Sequence, residues 1–294
     1  CRRKKLDFRD KALDDNKIDE AKKFIIEGLI SYQPFVFSDN LEVGVGFEFE
    51  QQRYVGLVHY PDIPEHLRAS PELARRLLAD RNRTEFHLAN RRLADFYDSL
   101  VEQIIDHTAG GIDNNSFLDV GCNNGYIPIS FSQRGAKRAT GCDRQDFSRV
   151  FNFLNSIQGT NAEFIHAWYE PQQHRIAGVE AFDVVTSMAM LCHVSDPLHL
   201  LAELGRLSKN ALFVWTLFNH DDSNVVRYGT PRGDYPGDVF PYCFDNLTAI
   251  SVPLFHKSME LMGFSKIIEL PVPQIHSYAW NGYPFRGFLA IRNP

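Results

Sequence analysis

Two acids, two glycines and a histidine carry the chemistry this chain can be read for. The run Phe117-Leu118-Asp119-Val120-Gly121-Cys122-Asn123-Asn124-Gly125-Tyr126 passes from apolar residues through an acid into a turn with two glycines. The apolar part reads as a buried strand and the part from Tyr126 as a helix. The turn would then lie at the carboxyl edge of a parallel sheet, where doubly wound folds bind ligands. Gly121 and Gly125 can take positive φ and let a ligand approach the main chain. The Gly-x-x-x-Gly spacing lacks the middle glycine of a dinucleotide fingerprint and is weak by itself. Asn123, Asn124 and Tyr126 crowd the place where a pyrophosphate would meet the helix N-terminus. Asp119 suits a cationic ligand instead. Asp143 stands 24 positions later, at the end of the next strand-like run. An acid there can accept hydrogen bonds from both hydroxyls of a ribose. His193 follows a further strand, and an ordinary imidazole near pKa ~6.5 can take a proton at neutral pH. The plainer alternatives are a generic strand–turn–helix for the loop and a hydrogen-bonded turn residue for His193.

The elements that must position these residues alternate. Strands are expected over residues 116–120, 136–143, 162–167, 181–188 and 210–218, with helices between them containing Phe151, Leu154 and Ile157, then Leu200, Leu201, Leu204 and Leu207. Pro197 opens the second of these helices. That rhythm means a parallel sheet with right-handed crossovers. A helix over 251–262 and strands over 264–270 and 286–292 close the chain. Residues 219–247 are too long and polar for a plain connection and read as a substrate lid containing Arg232, with Arg227, Tyr228 and Tyr242 as candidate substrate contacts.

Upstream, a basic start precedes helical spacing of Ala21, Phe24, Ile25 and Leu29. Residues 32–60 read as short strands, with Glu48 and Glu50 on one face. Residues 65–107 read as helical, starting at Ser70-Pro71, with Arg91, Arg92 and Tyr97 as candidate lid residues. The expected division is residues 1–107, an α+β extension, and residues 108–294, a doubly wound α/β domain.

The 294 residues are 44% hydrophobic and 23% charged, ordinary values for a globular chain with a sizeable core. A net charge of −6 leaves room for RNA only through a local basic patch. Nothing approaches the ~20 consecutive apolar residues of a membrane span, and no secretory signal pattern occurs. Five cysteines, an odd number without a C-x-x-C pair, indicate neither a disulfide framework nor a zinc site. His166, His174 and His256 show no metal-ligand spacing. No metal is expected, and the reading is of a cytoplasmic protein with reduced thiols. Cys1 in place of an initiator Met suggests an incomplete start.

The loop at 118–126, the stretch Ser187-Met188-Ala189-Met190-Leu191-Cys192-His193 and the ending from Gly282 to Pro294 carry a family resemblance. Residues from about 108 onward resemble class I S-adenosylmethionine (SAM) methyltransferases. Within these they look most like the family that carboxymethylates the wobble uridine of tRNA using carboxy-SAM. The resemblance implies a Rossmann-like seven-stranded sheet with a closing antiparallel hairpin. It implies SAM held by Asp119, Gly121, Cys122, Asn123, Gly125, Asp143, Ala167, Trp168, Ser187 and Met188, the loop at 167–168 facing the adenine. Arg286 matches the subfamily's final arginine as a substrate contact. Cys192 stands where that subfamily has Tyr, and its N-terminal basic segment has no counterpart. These departures favour ordinary SAM and a small-molecule acceptor, with His193 as the candidate base. An RNA acceptor and a catalytically silent SAM-binding protein are the alternatives; the intact Asp119, Gly121, Gly125 and Asp143 weigh against the latter.

Overall fold

A computed structural model describes residues 11, 13–27, 29–30, 33–38, 41–46, 54–57, 83–229, 248–271, 279–280 and 283–292. Helix α1 (Asp15–Ile26) is capped by Asp14, whose carboxylate accepts from the Lys17 amide. Strands β1 (Phe35–Ser38), β2 (Leu41–Gly46) and β3 (Tyr54–Leu57) form a small antiparallel sheet. The long helix α2 (Arg83–His107) then leads into the main sheet.

That sheet is built from β4 (Ser116–Val120), β5 (Arg138–Asp143), β6 (Glu163–His166), β9 (Phe182–Met188) and β10 (Ser208–Asn219), all parallel in the order β6-β5-β4-β9-β10. Beyond β10 the order continues through β15 (Tyr283–Ile291) to β13 (Lys266–Glu269), and the short β14 (Ala279–Trp280) also pairs with β15, all antiparallel. Helices α3 (Tyr126–Gln133), α4 (Ser148–Gln158), α5 (Pro197–Leu207) and α6 (Val252–Leu261) cover its faces. Successive strand residues feed opposite layers: Phe117, Val184 and Phe213 pack towards α2, α3 and α4, while Leu118, Val185 and Leu212 pack towards α5 and α6. Burial of both faces explains the unbroken apolar runs in these strands. This is the seven-stranded Rossmann-like sheet with its closing hairpin.

Several details depart from the sequence reading. A short hairpin of β7 (Tyr169–Glu170) and β8 (Arg175–Ile176) follows β6. Two-residue strands carry too little pattern to be read from sequence. β12 (Thr248–Ser251) pairs in parallel with the end of β10, and β11 (Val226–Tyr228) pairs with β12. Part of the segment read as a lid is therefore sheet edge. The expected helix start at Ser70-Pro71, Glu48 and Glu50, Arg232 and Tyr242 lie outside the described residues.

The N-terminal elements share the core of the sheet. Phe24 packs on Phe153 at 5.2 Å between ring centroids, Phe35 on Tyr126 at 5.7 Å, and Tyr97 of α2 on Tyr126 at 5.0 Å. Burying such aromatic pairs contributes beyond area alone.

Candidate active site

The carboxyl ends of β4, β5, β6 and β9 open on a cavity of about 420 Å³. Its lining includes Gly121, Asn123, Asp143, Ala167, Trp168, Met188 and His193 from the sequence reading, joined by Val120, Arg144, Gln145, Tyr169, Ala189 and Met190. Asp119, Cys122, Gly125 and Ser187 stand behind that lining. A second cavity of about 520 Å³, over α6 beside His256, Lys257 and Glu260, has no glycine turn and no strand-end carboxylate.

The loop after β4 is held from several sides. The Gly121 and Cys122 amides both donate to the Cys142 carbonyl, at 2.9 and 3.1 Å. Gly121 has φ 79°, and a Cβ there would collide with the Met190 side chain. Gly125 has φ 91° and lies against the Phe151 ring with no room for a Cβ. Both glycines are thus required by backbone and by space. Asn123 also takes a left-handed φ, 50°. Its amide donates to Asp143 Oδ2 at 2.8 Å.

The two acids differ. Asp119 is 3% exposed, and its carboxylate accepts from Thr186 Oγ1 at 2.7 Å. Burial raises its pKa from 3.8 to about 7; Thr186 opposes the rise and the charge of Asp143 adds to it. Asp143 lines the cavity. Burial also pushes it upward, against hydrogen bonds from the Gln145 and Asn123 amides. Those two amides fix the carboxylate in place, and its remaining lone pairs can accept further bonds. The neighbouring Cys122 and Cys142 thiols are held protonated by burial.

At the far end of β5 the Ala167 amide donates to the Asp143 carbonyl at 3.1 Å, and the Arg144 guanidinium lies 4.4 Å from the centroid of the Trp168 ring. Arg144 and Trp168 thus make a flat cation–π wall. On the opposite side, the Ala189 amide donates to the Trp215 carbonyl at 2.7 Å. The His193 amide closes the 3₁₀ turn Leu191–His193 on the Met190 carbonyl at 2.9 Å. Thr248 Oγ1 donates to the Leu191 carbonyl at 2.8 Å, so β12 supports the turn that carries His193.

Gln33 also belongs to the site, and sequence reasoning missed it. It is 3% exposed; its Nε2 donates to the Cys122 carbonyl at 3.1 Å, and its Oε1 accepts from the Tyr126 amide at 3.0 Å. Asn124 Nδ2 donates to the Leu29 carbonyl at 2.6 Å. The N-terminal segment thereby clamps the glycine turn from behind. No local pattern announces a contact across 89 residues.

The candidate substrate residues lie elsewhere. Arg227 makes a two-pronged pair with Asp221 at 2.8 and 2.9 Å. Arg286 does so with Glu269 at 2.7 and 2.6 Å. Tyr228 is 53% exposed, its hydroxyl donating to the Ser195 carbonyl at 3.1 Å. None of the three lines the cavity.

A family model described as "Methyltransferase domain" matches residues 86–253. The ubiquinone biosynthesis O-methyltransferase of Pseudoalteromonas translucida (strain TAC 125) is 35% identical over 113 residues, 37% of this chain and 47% of that protein. The tRNA U34 carboxymethyltransferase of Vibrio campbellii (strain ATCC BAA-1116) is 30% identical over 171 residues, 56% of this chain and 49% of that protein. The chain thus spans about half the length of the curated relatives it matches. Among solved structures, the N-terminal domain of EvdMO1, determined in the presence of SAH and D-fucose, superposes with a TM-score of 0.52 at 17% identity, covering 96% of this chain and 98% of that one. At that identity the likeness speaks for the fold alone.

Proposed function

This chain belongs to the class I SAM-dependent methyltransferases, and from that premise we propose that it moves the methyl group of SAM to a nucleophilic oxygen of a small-molecule acceptor. The observation that carries the reading is the convergence of the glycine turn, Asp143, the Arg144–Trp168 wall and His193 on one cavity. The oxygen nucleophile follows the relatives named as O-methyltransferases.

The residues present fit the cofactor. Gly121 lines the cavity with bare backbone at φ 79°, and its closeness to the Met190 side chain leaves no room for a Cβ. Asp143 is oriented to accept from ribose hydroxyls, and the Trp168 ring offers a face for the adenine. Bound SAM supplies an electrophilic methyl on a sulfonium centre. The loop at 121–123 and Asp143 would hold it, and Met188, Ala189 and Met190 in the same lining would help to exclude water. His193, which lines the same cavity, would take the acceptor's proton. Asp119 behind the loop favours a cationic ligand in front of it when its carboxyl is ionised.

A tRNA carboxymethyl transfer is the second reading, favoured by the match over 171 residues. Carboxylated SAM calls for a cation near the transferred group. Arg144 is the one arginine among the described lining residues, and it is stacked on the Trp168 ring. Among the described residues no helix is long and apolar enough to cross a membrane, and Cys122, Cys142 and Cys192 are free thiols.

Native mass spectrometry of the purified protein with SAM, followed by transfer of labelled methyl to a panel of phenols and catechols beside total tRNA, tests the proposal. His193→Gln should lower kcat by roughly 10²-fold or more while leaving SAM affinity unchanged. Transfer confined to tRNA, or absence of SAM binding, would overturn it.

A further inference from the structure

The hairpin after β6 and the start of α5 bring together three side chains that the methyl-transfer chemistry does not use. His174 sits between β7 and β8, Asp196 immediately precedes α5, and His199 lies in its first turn. One ligand atom from each lies within 4.8 Å of the others. Asp196 Oδ2 is 3.3 Å from His174 Nδ1 and 3.8 Å from His199 Nδ1. The two imidazoles stack at 3.8 Å between centroids with 18° between planes, both Nδ1 atoms beside the same carboxylate oxygen, and rotation of the exposed rings about their side-chain bonds would converge them on one ion.

We propose that His174, Asp196 and His199 bind one divalent transition-metal ion, zinc foremost, which ties the β7–β8 hairpin to the start of α5. Two imidazoles and one carboxylate are a common set for such ions and leave coordination positions open.

Two further observations point to a ligand. Asp196 occupies the cap position of α5, yet its side chain makes no capping bond. Its Oδ1 is buried with no hydrogen-bond partner among the described residues. A carboxylate serving only to cap the helix would use that oxygen on the helix amides. The carboxylate is also oriented from outside the cluster: the Tyr169 hydroxyl donates to Asp196 Oδ2 at 2.6 Å. Such a partner to a ligating carboxylate is characteristic of metal centres. The histidines are 43% and 58% exposed, so an ion can enter from solvent.

The consequence reaches the cofactor cavity, because Tyr169 lines it and Asp196 follows the turn carrying His193 by three residues. An ion here would hold that wall as one piece. The site stands independently of the methyl-transfer reading, since the metal alone is the probe.

The test is titration of the chelator-treated full chain with Co²⁺, followed by its visible ligand-field bands, and with Zn²⁺ in competition. One ion per chain is expected, with bands of a nitrogen and oxygen ligand set and no thiolate charge-transfer band. Asp196→Asn should weaken uptake at least about tenfold, and Tyr169→Phe by about tenfold. His174→Ala with His199→Ala should abolish it; both histidines are exposed enough for the fold to tolerate their loss. Absence of saturable one-to-one uptake, a thiolate spectrum, or uptake unchanged in the double variant would overturn the proposal.

Discussion

Asp119 makes the coupling between cofactor and loop measurable. Its carboxyl has a pKa of about 7 in the ligand-free protein, chiefly through burial. At pH 7.0 it is therefore about half protonated. A cationic ligand on the other side of the Gly121 turn favours the ionised form. A drop of two or more units would release about 0.5 proton per SAM bound at that pH. The same linkage makes binding about tenfold tighter at pH 8 than at pH 6, or ~1.4 kcal/mol. Calorimetry at pH 7.0 in buffers of different ionisation enthalpy measures the proton count directly. The α-amino group of SAM, with an ordinary pKa of ~7.7–8.0, also exchanges protons. The decisive quantity is therefore the difference between the wild type and Asp119→Asn. Asparagine retains the acceptor for Thr186 Oγ1 and removes only the titration. Equal proton counts in the two proteins would refute the reasoning, because Asp119 would then not sense the ligand.

Other outcomes follow from the same geometry. Asp119 has a raised folded-state pKa, so the folded chain binds the extra proton between pH ~4 and ~7 and loses stability as pH rises across that window; Asp119→Asn should raise the Tm of the ligand-free protein at pH 8 more than at pH 5, by thermal denaturation. Gln33→Leu removes the buried bonds to the Tyr126 amide and to the Cys122 carbonyl, the latter keeping the Gly125 amide as a donor, at ~1–3 kcal/mol in all; it should lower Tm by several degrees and weaken SAM binding, read by calorimetry. Gly121→Ala should abolish SAM binding, and adding Met190→Ala should restore it only in part, since the second change removes the collision but not the cost of φ 79°.

The chain's order of strands and helices was legible in its sequence because strands buried on both faces read as apolar runs, and the glycine turn and Asp143 lie at the ends of such runs. Local chemistry also marked His193, which follows β9 at the edge where ligands bind. What the tertiary structure alone decided concerns partners distant along the chain. Gln33 reaches the glycine turn from the N-terminal segment, Arg227 and Arg286 are engaged by Asp221 and Glu269, and His174 meets Asp196 and His199 across a hairpin too short to show a strand pattern. Periodicity reports which face a residue presents, whereas the identity of its neighbour depends on how separate elements pack, and no local pattern encodes that.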